Sequence, residues 1–293
     1  MIYTIKNDKI EVSVEDLGAQ MRSIKDAEGK EYLWQGDEKY WKECAPNLFP
    51  YIARLTQGKY ILKGKTYDMT THGFLKRTVL KLKEKTQTKM VFSLTDSEET
   101  YKQYPYHFEL KVKYELLKNE LKVSYSVSNK DKKVMYFGIG GHPGFQVPIE
   151  KELSFDDYFI EFANGTDMKR VGMSEDCFVT GKDEEAFTLD DKQRLHLHHD
   201  MFDDDAIILK DVPSKMTLAS EKGNARIEME TNNLGYLGIW HRPRTDAPYV
   251  CIEPWSSLPS RKDIIEDLEK QDNLVSLKPD GYYTGFFKVK IVK

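Results

Sequence analysis

The feature that most constrains the fold is a strict alternation of apolar and charged residues in the middle of the chain. Residues 108–115 place Phe, Leu, Val and Tyr in alternation with Glu and Lys, which is the pattern of a strand with one buried and one solvated face. The alternation resumes over residues 121–127, after a polar turn at residues 118–120. The two runs therefore predict an antiparallel hairpin.

Similar short segments predict strands along most of the chain. The N-terminus predicts a second hairpin, with strands at residues 2–6 and 10–14 around a turn at residues 7–8. Further strands are predicted at residues 89–94, 134–137, 155–163, 206–210, 215–219, 225–231, 237–240, 250–252 and 286–292. Many short antiparallel strands separated by turns indicate an all-β protein, a large antiparallel β-sandwich. We expect residues 1–293 to form a single domain.

Only two stretches predict helix. Residues 38–42 could form one short turn. Residues 260–271 predict a longer helix, because Ile264, Ile265 and Leu268 would share one face and Ser260 precedes Asp263 as in a capping box. The sequence shows no βαβ alternation, no GxGxxG after a strand and no phosphate-binding loop, which argues against a nucleotide cofactor.

Charge and cysteine content narrow the class of protein. The 293 residues include 44 basic and 48 acidic side chains, a formal net charge of -4, and no basic stretch that would follow a phosphate backbone. We therefore expect no nucleic-acid partner. The apolar runs are too short for a membrane span, and the N-terminus lacks the apolar core of a signal peptide. Three cysteines without a CxxC pair indicate reduced thiols, so we expect a cytoplasmic protein.

Residues 138–145, which read Gly-Ile-Gly-Gly-His-Pro-Gly-Phe, are the first candidate site. They follow the apolar run at residues 134–137, so the segment would place His142 at the end of a buried strand. Glycines allow close approach of the backbone, and histidine exchanges protons near neutral pH. A tight turn with an incidental histidine is the alternative interpretation of this segment alone.

Two other segments carry candidate side chains. Glu253 ends an apolar strand, and Pro254 is expected to break the ladder directly after it, so the carboxylate would lie at a strand terminus. An ordinary edge glutamate is the alternative. His72 precedes Gly73, which again suggests close backbone approach. His196, His198 and His199 alternate along another segment, where metal binding is a minor alternative.

Four motifs, in order, resemble the aldose 1-epimerases (mutarotases), and in particular their LacX-like branch. They are residues 47–54 (Asn-Leu-Phe-Pro-Tyr-Ile-Ala-Arg), 71–74 (Thr-His-Gly-Phe), 140–145 (Gly-Gly-His-Pro-Gly-Phe) and 251–255 (Cys-Ile-Glu-Pro-Trp). The resemblance extends over nearly the whole chain. It implies a β-sandwich of the galactose mutarotase type with a sugar cleft, interconversion of the α and β anomers of a free aldose, and no metal or other cofactor.

The resemblance also implies roles for five residues. His142 would be the general acid on the ring oxygen, and Glu253 the general base on the C1 hydroxyl. Arg54 and His72 would bind and orient the sugar. A sugar-binding aspartate is expected between His142 and Glu253, and we assign it to Asp205, the last of three consecutive aspartates. The chemistry fits these residue types, because opening a hemiacetal needs only one base and one acid.

The sequence departs from the familiar galactose mutarotases near the second histidine. There the histidine is followed by Pro-Tyr-Phe and an asparagine, whereas Gly144 and Phe145 follow Pro143 here, so galactose specificity is not implied. The glycines of residues 138–145 are expected to let a sugar ring approach the backbone. Trp255 could offer a flat face on which a sugar stacks, although an aromatic residue in such a fold is more often core.

Three alternative functions remain open from the sequence. A hexose-6-phosphate 1-epimerase could hold its phosphate with Arg54, Lys76 and Arg77, although a solvated face is the favoured interpretation of the last two. A glycosidase could use Glu253 and Asp205 as its two carboxylates, which leaves the two histidines unexplained. A non-catalytic sugar-binding protein could share the fold. In each case the expected partner is a small sugar, and we expect a monomer or homodimer.

Overall fold

The computed structural model describes residues 1–163, 167–184 and 189–293. Short strands make up most of these residues. They are β1 (Ile2–Lys6), β2 (Ile10–Glu15), β3 (Gln20–Asp26), β4 (Asn47–Leu48), β5 (Lys59–Leu62), β6 (Lys65–Asp68), β7 (Lys81–Lys85), β8 (Lys89–Thr95), β9 (Phe108–Leu117), β10 (Glu120–Asn129), β11 (Met135–Phe137), β12 (Gly140–Gly141), β13 (Gly144–Gln146), β14 (Tyr158–Phe162), β15 (Lys169–Met173), β16 (Val179–Glu184), β17 (Arg194–His196), β18 (Ile207–Lys210), β19 (Lys215–Ser220), β20 (Arg226–Asn232), β21 (Tyr236–Trp240), β22 (Tyr249–Trp255), β23 (Glu266–Asp267), β24 (Val275–Leu277) and β25 (Tyr282–Val292).

Two large sheets dominate the architecture. The first has nine strands in the order β17-β14-β19-β20-β25-β10-β9-β8-β7, and the second has eight, in the order β16-β15-β18-β21-β22-β12-β4 with β13 also paired to β22. All strand pairs described in these two sheets are antiparallel. Smaller sheets are formed by β1-β2-β3, β11-β24 and β23-β5-β6. The predicted all-β class is therefore confirmed.

The two large sheets pack face to face near the middle of the molecule. A Cβ atom added to Gly141 of β12 would lie 2.7 Å from the Phe287 ring and 2.9 Å from the Tyr125 hydroxyl, both of which belong to the nine-stranded sheet. Tyr125 also donates a hydrogen bond of 2.7 Å to the buried side chain of Asn47 in β4. Close packing without room for one extra carbon is typical of a sandwich core, so the predicted β-sandwich is confirmed.

Both hairpins predicted from the alternation are present. The register places Lys6 opposite Glu11 between β1 and β2, and Leu117 opposite Glu120 between β9 and β10. Along β10 every second residue is buried, beginning with Leu121. Because one face of these strands packs on the core, the period of two fixes their register.

The helix predicted for residues 260–271 is wrong. The residues instead form an irregular segment in which Glu266 and Asp267 pair in parallel with β5, and Asp263 has φ 59°, which a right-handed helix excludes. The Glu266 carboxylate is buried and accepts hydrogen bonds from the backbone and guanidinium of Arg261. Ser260 does not cap a helix either, because its hydroxyl accepts from Thr56 N over 2.9 Å. Tertiary hydrogen bonds thus override the apolar periodicity.

The helices that do form are short. The α-helix α1 (Glu98–Gln103) begins with a capping box between Ser97 and Thr100, and sequence analysis missed it. Single 3₁₀ turns lie at Thr56–Gly58, Leu75–Arg77, Phe155–Asp157 and His199–Phe202, so the strand predicted from residue 155 begins only at Tyr158. The turn predicted at residues 38–42 is present, with Trp41 N donating to Asp37 O. No helix among the described residues is long and apolar enough to cross a membrane.

The prediction that Glu253 lies at the end of a strand is wrong. The strand continues through Pro254 to Trp255, so Glu253 lies inside it and not at its terminus. On one edge of β22, Ile252 N donates to Pro143 O and Ser256 N donates to Ile139 O, and Pro254 falls between these bonds. The proline is tolerated because the ladder on that edge is interrupted at its position. The interrupted edge is also where His142 leaves β12, next to Glu253.

Candidate active site

A cleft of about 440 Å³ opens at this interrupted edge of β22. Its volume lies within the usual range for small-molecule sites, roughly 300–1,000 Å³. The structure brings all five sequence-predicted site residues to its wall. They are Arg54, His72, His142, Asp205 and Glu253. These residues come from five separate segments of the chain, which the packing of the eight-stranded sheet and its loops brings together.

His142 and Glu253 lie in contact at the inner end of the cleft. The distance from His142 Nε2 to Glu253 Oε2 is 3.2 Å, and the two side chains are 10% and 2% exposed. The contact is not aligned as a hydrogen bond, and Glu253 Oε2 has no hydrogen-bond partner within the described residues. The other ring nitrogen of His142, Nδ1, also has none there. Buried polar atoms are almost always satisfied in folded proteins. Two unsatisfied atoms at one place therefore mark a site prepared for a polar ligand.

Burial favours the uncharged form of both groups. It lowers the pKa of His142, and the positive charge of Lys76 acts in the same direction. Burial also raises the pKa of Glu253 well above its ordinary value, and the nearby charge of Asp205 adds to the shift. Both shifts favour the uncharged forms, a protonated carboxyl beside a neutral imidazole.

Aromatic rings hold the His142 imidazole on several sides. Trp41 stacks on it with centroids 4.9 Å apart and an interplanar angle of 28°. Trp240 and His72 approach it edge to face, at 5.6 and 5.5 Å. Because Nδ1 has no hydrogen-bond partner in the described part of the chain, ring contacts rather than a hydrogen bond orient this histidine.

His72 lies in a tight turn in which Gly73 N donates to Thr70 O. His72 and Gly73 have positive φ angles of 64° and 68°. A Cβ atom on Gly73 would lie 2.2 Å from Phe49 O, so the expected close approach of the backbone is confirmed. His72 Nδ1 accepts a hydrogen bond of 3.1 Å from Ala53 N, which leaves the ring proton on Nε2. Burial lowers the pKa of His72 well below its ordinary value, and nearby cationic side chains such as Lys76 act in the same direction. His72 is therefore a neutral donor at the cleft.

Asp205 also lines the cleft, where it contacts Cys177 and Arg54. The Cys177 thiol donates to Asp205 Oδ2 over 2.6 Å, and the Arg54 guanidinium lies 3.6 Å from the same oxygen. Asp203 instead accepts a hydrogen bond from Arg244 N. Asp204 and Asp205 both line the cleft, but only Asp205 combines these two cleft contacts.

The glycines of residues 138–145 do not expose the backbone to the cleft, which corrects the sequence interpretation. Their missing side chains make room for other parts of the protein. A Cβ on Gly140 would lie 2.6 Å from Pro254 O, and one on Gly144 would lie 3.1 Å from the Trp41 ring. Gly144, the point of departure from the galactose mutarotases, thus gives space to the indole that stacks on His142.

Trp255 does not offer a free face for a sugar. Its side chain is 2% exposed and packs with Leu48, Ile52 and Ile208 in a small apolar cluster, so the alternative interpretation as core is the right one. Trp255 still contributes to the lining of the cleft, alongside the half-buried side chains of Trp41 and Trp240.

The interpretation of Lys76 as part of a solvated face is wrong. Its side chain is only 11% exposed, lines the cleft and forms an ion pair of 2.6 Å with Glu43. Arg77 is exposed, and its guanidinium binds the carbonyls of Thr71 and Gly73. Trp41, Glu43 and Cys177 also line the cleft. They were not predicted from the sequence because none lies in a motif, and the turn at residues 38–42 was the one signal near the first two.

One group of described side chains has the composition of a metal site. The ligand atoms of His142, Cys251 and Glu253, all buried, lie within 4.8 Å of one another. Burial raises the pKa of Cys251 and of Glu253 well above their ordinary values. A metal ion would have to displace two tightly held protons there, so the set is poorly suited to hold a cation.

Comparison with known proteins agrees with the fold. The family model for aldose 1-epimerase matches residues 1–262. The LacX protein of Lactococcus lactis subsp. lactis is 30% identical over 290 residues, covering 95% of each chain. A galactose mutarotase related enzyme from Lactobacillus acidophilus superimposes with a TM-score of 0.93 at 34% identity, covering 99% of this chain and 97% of the other.

A second solved structure, a galactose mutarotase-like protein from Lactobacillus casei, gives a TM-score of 0.93 at 31% identity over 99% of this chain and 100% of the other. The fold and the cleft define a sandwich protein of the galactose mutarotase type. This chain belongs to the aldose 1-epimerase family.

Proposed function

We propose that this protein is an aldose 1-epimerase that interconverts the α and β anomers of a free hexose by acid–base ring opening and reclosure. The observation that carries the proposal is the buried contact between His142 and Glu253, 3.2 Å apart in an open cleft. The family supports an isomerase acting on a small sugar. The choice of hexose and the roles of individual residues are part of the proposal.

The side-by-side arrangement of the pair suits this reaction. The C1 hydroxyl oxygen and the ring oxygen are bonded to the same carbon, so an acid and a base that serve both must also be neighbours. Glu253 takes the proton of the C1 hydroxyl, and His142 delivers a proton to the ring oxygen as the C1–O bond opens. Rotation about C1–C2 and the reverse proton transfers close the ring on the other face.

The neutral form of the pair is one proton transfer away from the form that can react. The proton of the Glu253 carboxyl has to move to His142, only 3.2 Å away, to give a carboxylate base beside an imidazolium acid. Such a transfer conserves the charge of the pair, so it adds no net charge to a buried site. Sugar hydroxyl groups that bind the unsatisfied atoms of the pair would stabilise the charged form.

The remaining predicted residues would bind and orient the sugar. His72 offers an Nε2–H donor, and Arg54 and Asp205 offer a guanidinium and a carboxylate that also line the cleft. Donors and acceptors on both sides of a ring fix its orientation, which places C1 at the catalytic pair. Trp41 and Trp240 supply apolar surface for the carbon face of the ring.

The test is a substrate panel followed by polarimetry or NMR. Fresh α-glucose, α-galactose and the corresponding 6-phosphates are dissolved with and without protein, and the approach to anomeric equilibrium is recorded. We expect at least one free hexose to equilibrate faster with protein. If no sugar does, the enzymatic assignment fails. If sugars bind without faster equilibration, the protein is a non-catalytic sugar-binding protein of this fold.

A further inference from the structure

The ion pair between Glu43 and Lys76 lies inside the proposed sugar cleft. Lys76 Nζ is 2.6 Å from Glu43 Oε2, and the side chains are 11% and 25% exposed. Lys76 is positioned by the 3₁₀ turn Leu75–Arg77 that follows His72, and Glu43 comes from the loop that carries Trp41. A lysine this buried needs a partner, because an unpaired ammonium would be strongly destabilised.

The ammonium group of Lys76 is close enough to the catalytic residues to affect them. Its charge contributes to the lowered pKa of His142 and of His72. An unpaired cation at this depth would be a natural receptor for an anionic substituent such as a phosphate, since Coulomb attraction strengthens as water is excluded. Glu43 occupies that receptor and cancels its charge.

The other cationic side chains of the cleft do not replace the Lys76 ammonium group as a receptor for phosphate. The Arg54 guanidinium lies 3.6 Å from the Asp205 carboxylate, and Arg242 lies at the exposed rim, where solvent and salt screen its charge. A phosphate entering the inner cleft would therefore meet the Glu43 carboxylate as a like charge. A sugar hydroxyl, in contrast, can donate to Glu43 and accept from Lys76 at the same time.

We propose that Glu43 is a specificity-determining residue that restricts the cleft to uncharged sugars, and that Glu43 and Lys76 together bind sugar hydroxyls. The inference rests on the proposed function for its choice of ligand. It excludes hexose 6-phosphates as preferred ligands by a repulsive element, and an added charge of the wrong sign is an effective way to reject a competing ligand.

The test compares the binding of glucose, glucose 6-phosphate and inorganic phosphate by titration calorimetry. The proteins are the wild type, Glu43→Gln, the double variant Glu43→Gln/Lys76→Gln and the matched control Glu99→Gln. Glu99 also forms a 2.6 Å pair with a lysine, but on the exposed surface. Circular dichroism and thermal melts establish that each variant is folded.

We expect the wild type and Glu99→Gln to prefer glucose. Glu43→Gln should shift the ratio of the two affinities toward glucose 6-phosphate by at least about tenfold, the effect of about 1.4 kcal/mol, and should gain affinity for inorganic phosphate. The double variant should lose the gain in affinity for glucose 6-phosphate and phosphate, because the ammonium group of Lys76 is removed. A wild type that prefers the phosphorylated sugar, an unchanged ratio in Glu43→Gln, or a gain that persists in the double variant would each overturn the inference.

Binding is measured independently of turnover, so the inference and the proposed function can fail separately. A protein that shows the expected shift in binding but equilibrates no sugar retains the specificity assignment and loses the enzymatic one. A protein that equilibrates glucose but shows no shift retains its activity, and the role of Glu43 is then refuted.

Discussion

His142 and Glu253 form a buried contact of 3.2 Å between Nε2 and Oε2, without the alignment of a hydrogen bond. The contact depends on the interruption of pairing along β22, where Pro254 has no N–H to donate and the chain around His142 leaves the edge. Burial raises the pKa of Glu253 and lowers that of His142, so a proton has to move from the carboxyl to the imidazole before the two groups can act as the proposed base and acid.

The first prediction concerns this pair. His142→Asn and Glu253→Gln should each lower kcat at least about hundredfold, the lower end of the contribution from one proton-transfer group. Glu253→Gln keeps the size and polarity of the side chain, and His142→Asn introduces a smaller side chain that is still polar, so the fold should survive. Polarimetry on the best sugar of the panel measures the rates. His107→Asn, at an exposed histidine paired with Asp96, is the control; wild-type-like rates in both site variants would remove the assigned roles.

Much of the fold could be predicted because it depends on local pattern. The hairpin of β9 and β10 follows directly from alternation over twenty residues. The helix predicted at residues 260–271 failed because its apolar spacing was outweighed by the buried Glu266 carboxylate, which binds Arg261. An ion pair of this kind depends on the packing of the folded protein. The spacing of apolar residues in the sequence therefore does not indicate it.

The site was predictable only where residues lie in motifs. His72, His142 and Glu253 each lie in a segment with unusual glycine or proline content, and all three line the cleft. The buried position of Lys76 was not predicted because its partner Glu43 is 33 residues away in the sequence. A lysine next to an arginine is, by itself, typical of a solvent-exposed surface. Trp41 was missed because its stacking on His142 depends on the space left by Gly144.

The second prediction follows from the hydrogen bond between Cys177 and Asp205. Burial first, and then this bond, raises the pKa of the Cys177 thiol to about 12, so the thiolate is scarce at neutral pH. We expect Asp205→Asn to accelerate alkylation of Cys177 by iodoacetamide severalfold, since each pKa unit removed raises the thiolate fraction about tenfold. Peptide mass mapping identifies the modified cysteine. Asp204→Asn is the matched control, and equal rates in all three proteins would contradict the prediction.

The third prediction concerns Trp41 as a positioning residue for His142. Trp41→Ala removes the stacked ring, and a misplacement of about 1 Å can cost on the order of 10² in rate. We expect kcat to fall between tenfold and a hundredfold by this estimate, while KM changes less. Trp41→Phe should restore most of the rate because a ring can still stack.

Gly144→Ala tests the same contact from the other side. An added Cβ would lie 3.1 Å from the Trp41 ring and 3.4 Å from Cys251 Sγ, which should displace the indole without deleting it. A loss of kcat in Trp41→Ala that Trp41→Phe does not restore would contradict positioning by stacking. Full activity in Gly144→Ala would show that the indole adjusts without moving His142.

The fourth prediction concerns stability in acid and centres on His241, which is fully buried. Its Nδ1–H donates to Arg242 O over 2.7 Å, and its Nε2 accepts from His199 Nδ1–H over 3.1 Å. These two bonds define a neutral ring. Burial lowers the pKa of His241 to about 4 from an ordinary value of 6.5, against an opposing contribution from the bond to Arg242.

The sign of the effect follows from proton uptake. Below pH 6.5 the unfolded chain protonates this histidine, whereas the folded protein does not until about pH 4, so the free energy of unfolding falls as the pH is lowered between these values. At about 1.4 kcal/mol for each pH unit, His241 should account for a loss of about 3 kcal/mol. Urea unfolding at pH 7.0 and 4.5, in the wild type and His241→Gln, measures it. At pH 7.0 His241→Gln should be less stable than the wild type, but its free energy of unfolding should fall less between pH 7.0 and 4.5. Equal falls in the two proteins would show that His241 is not the responsible group.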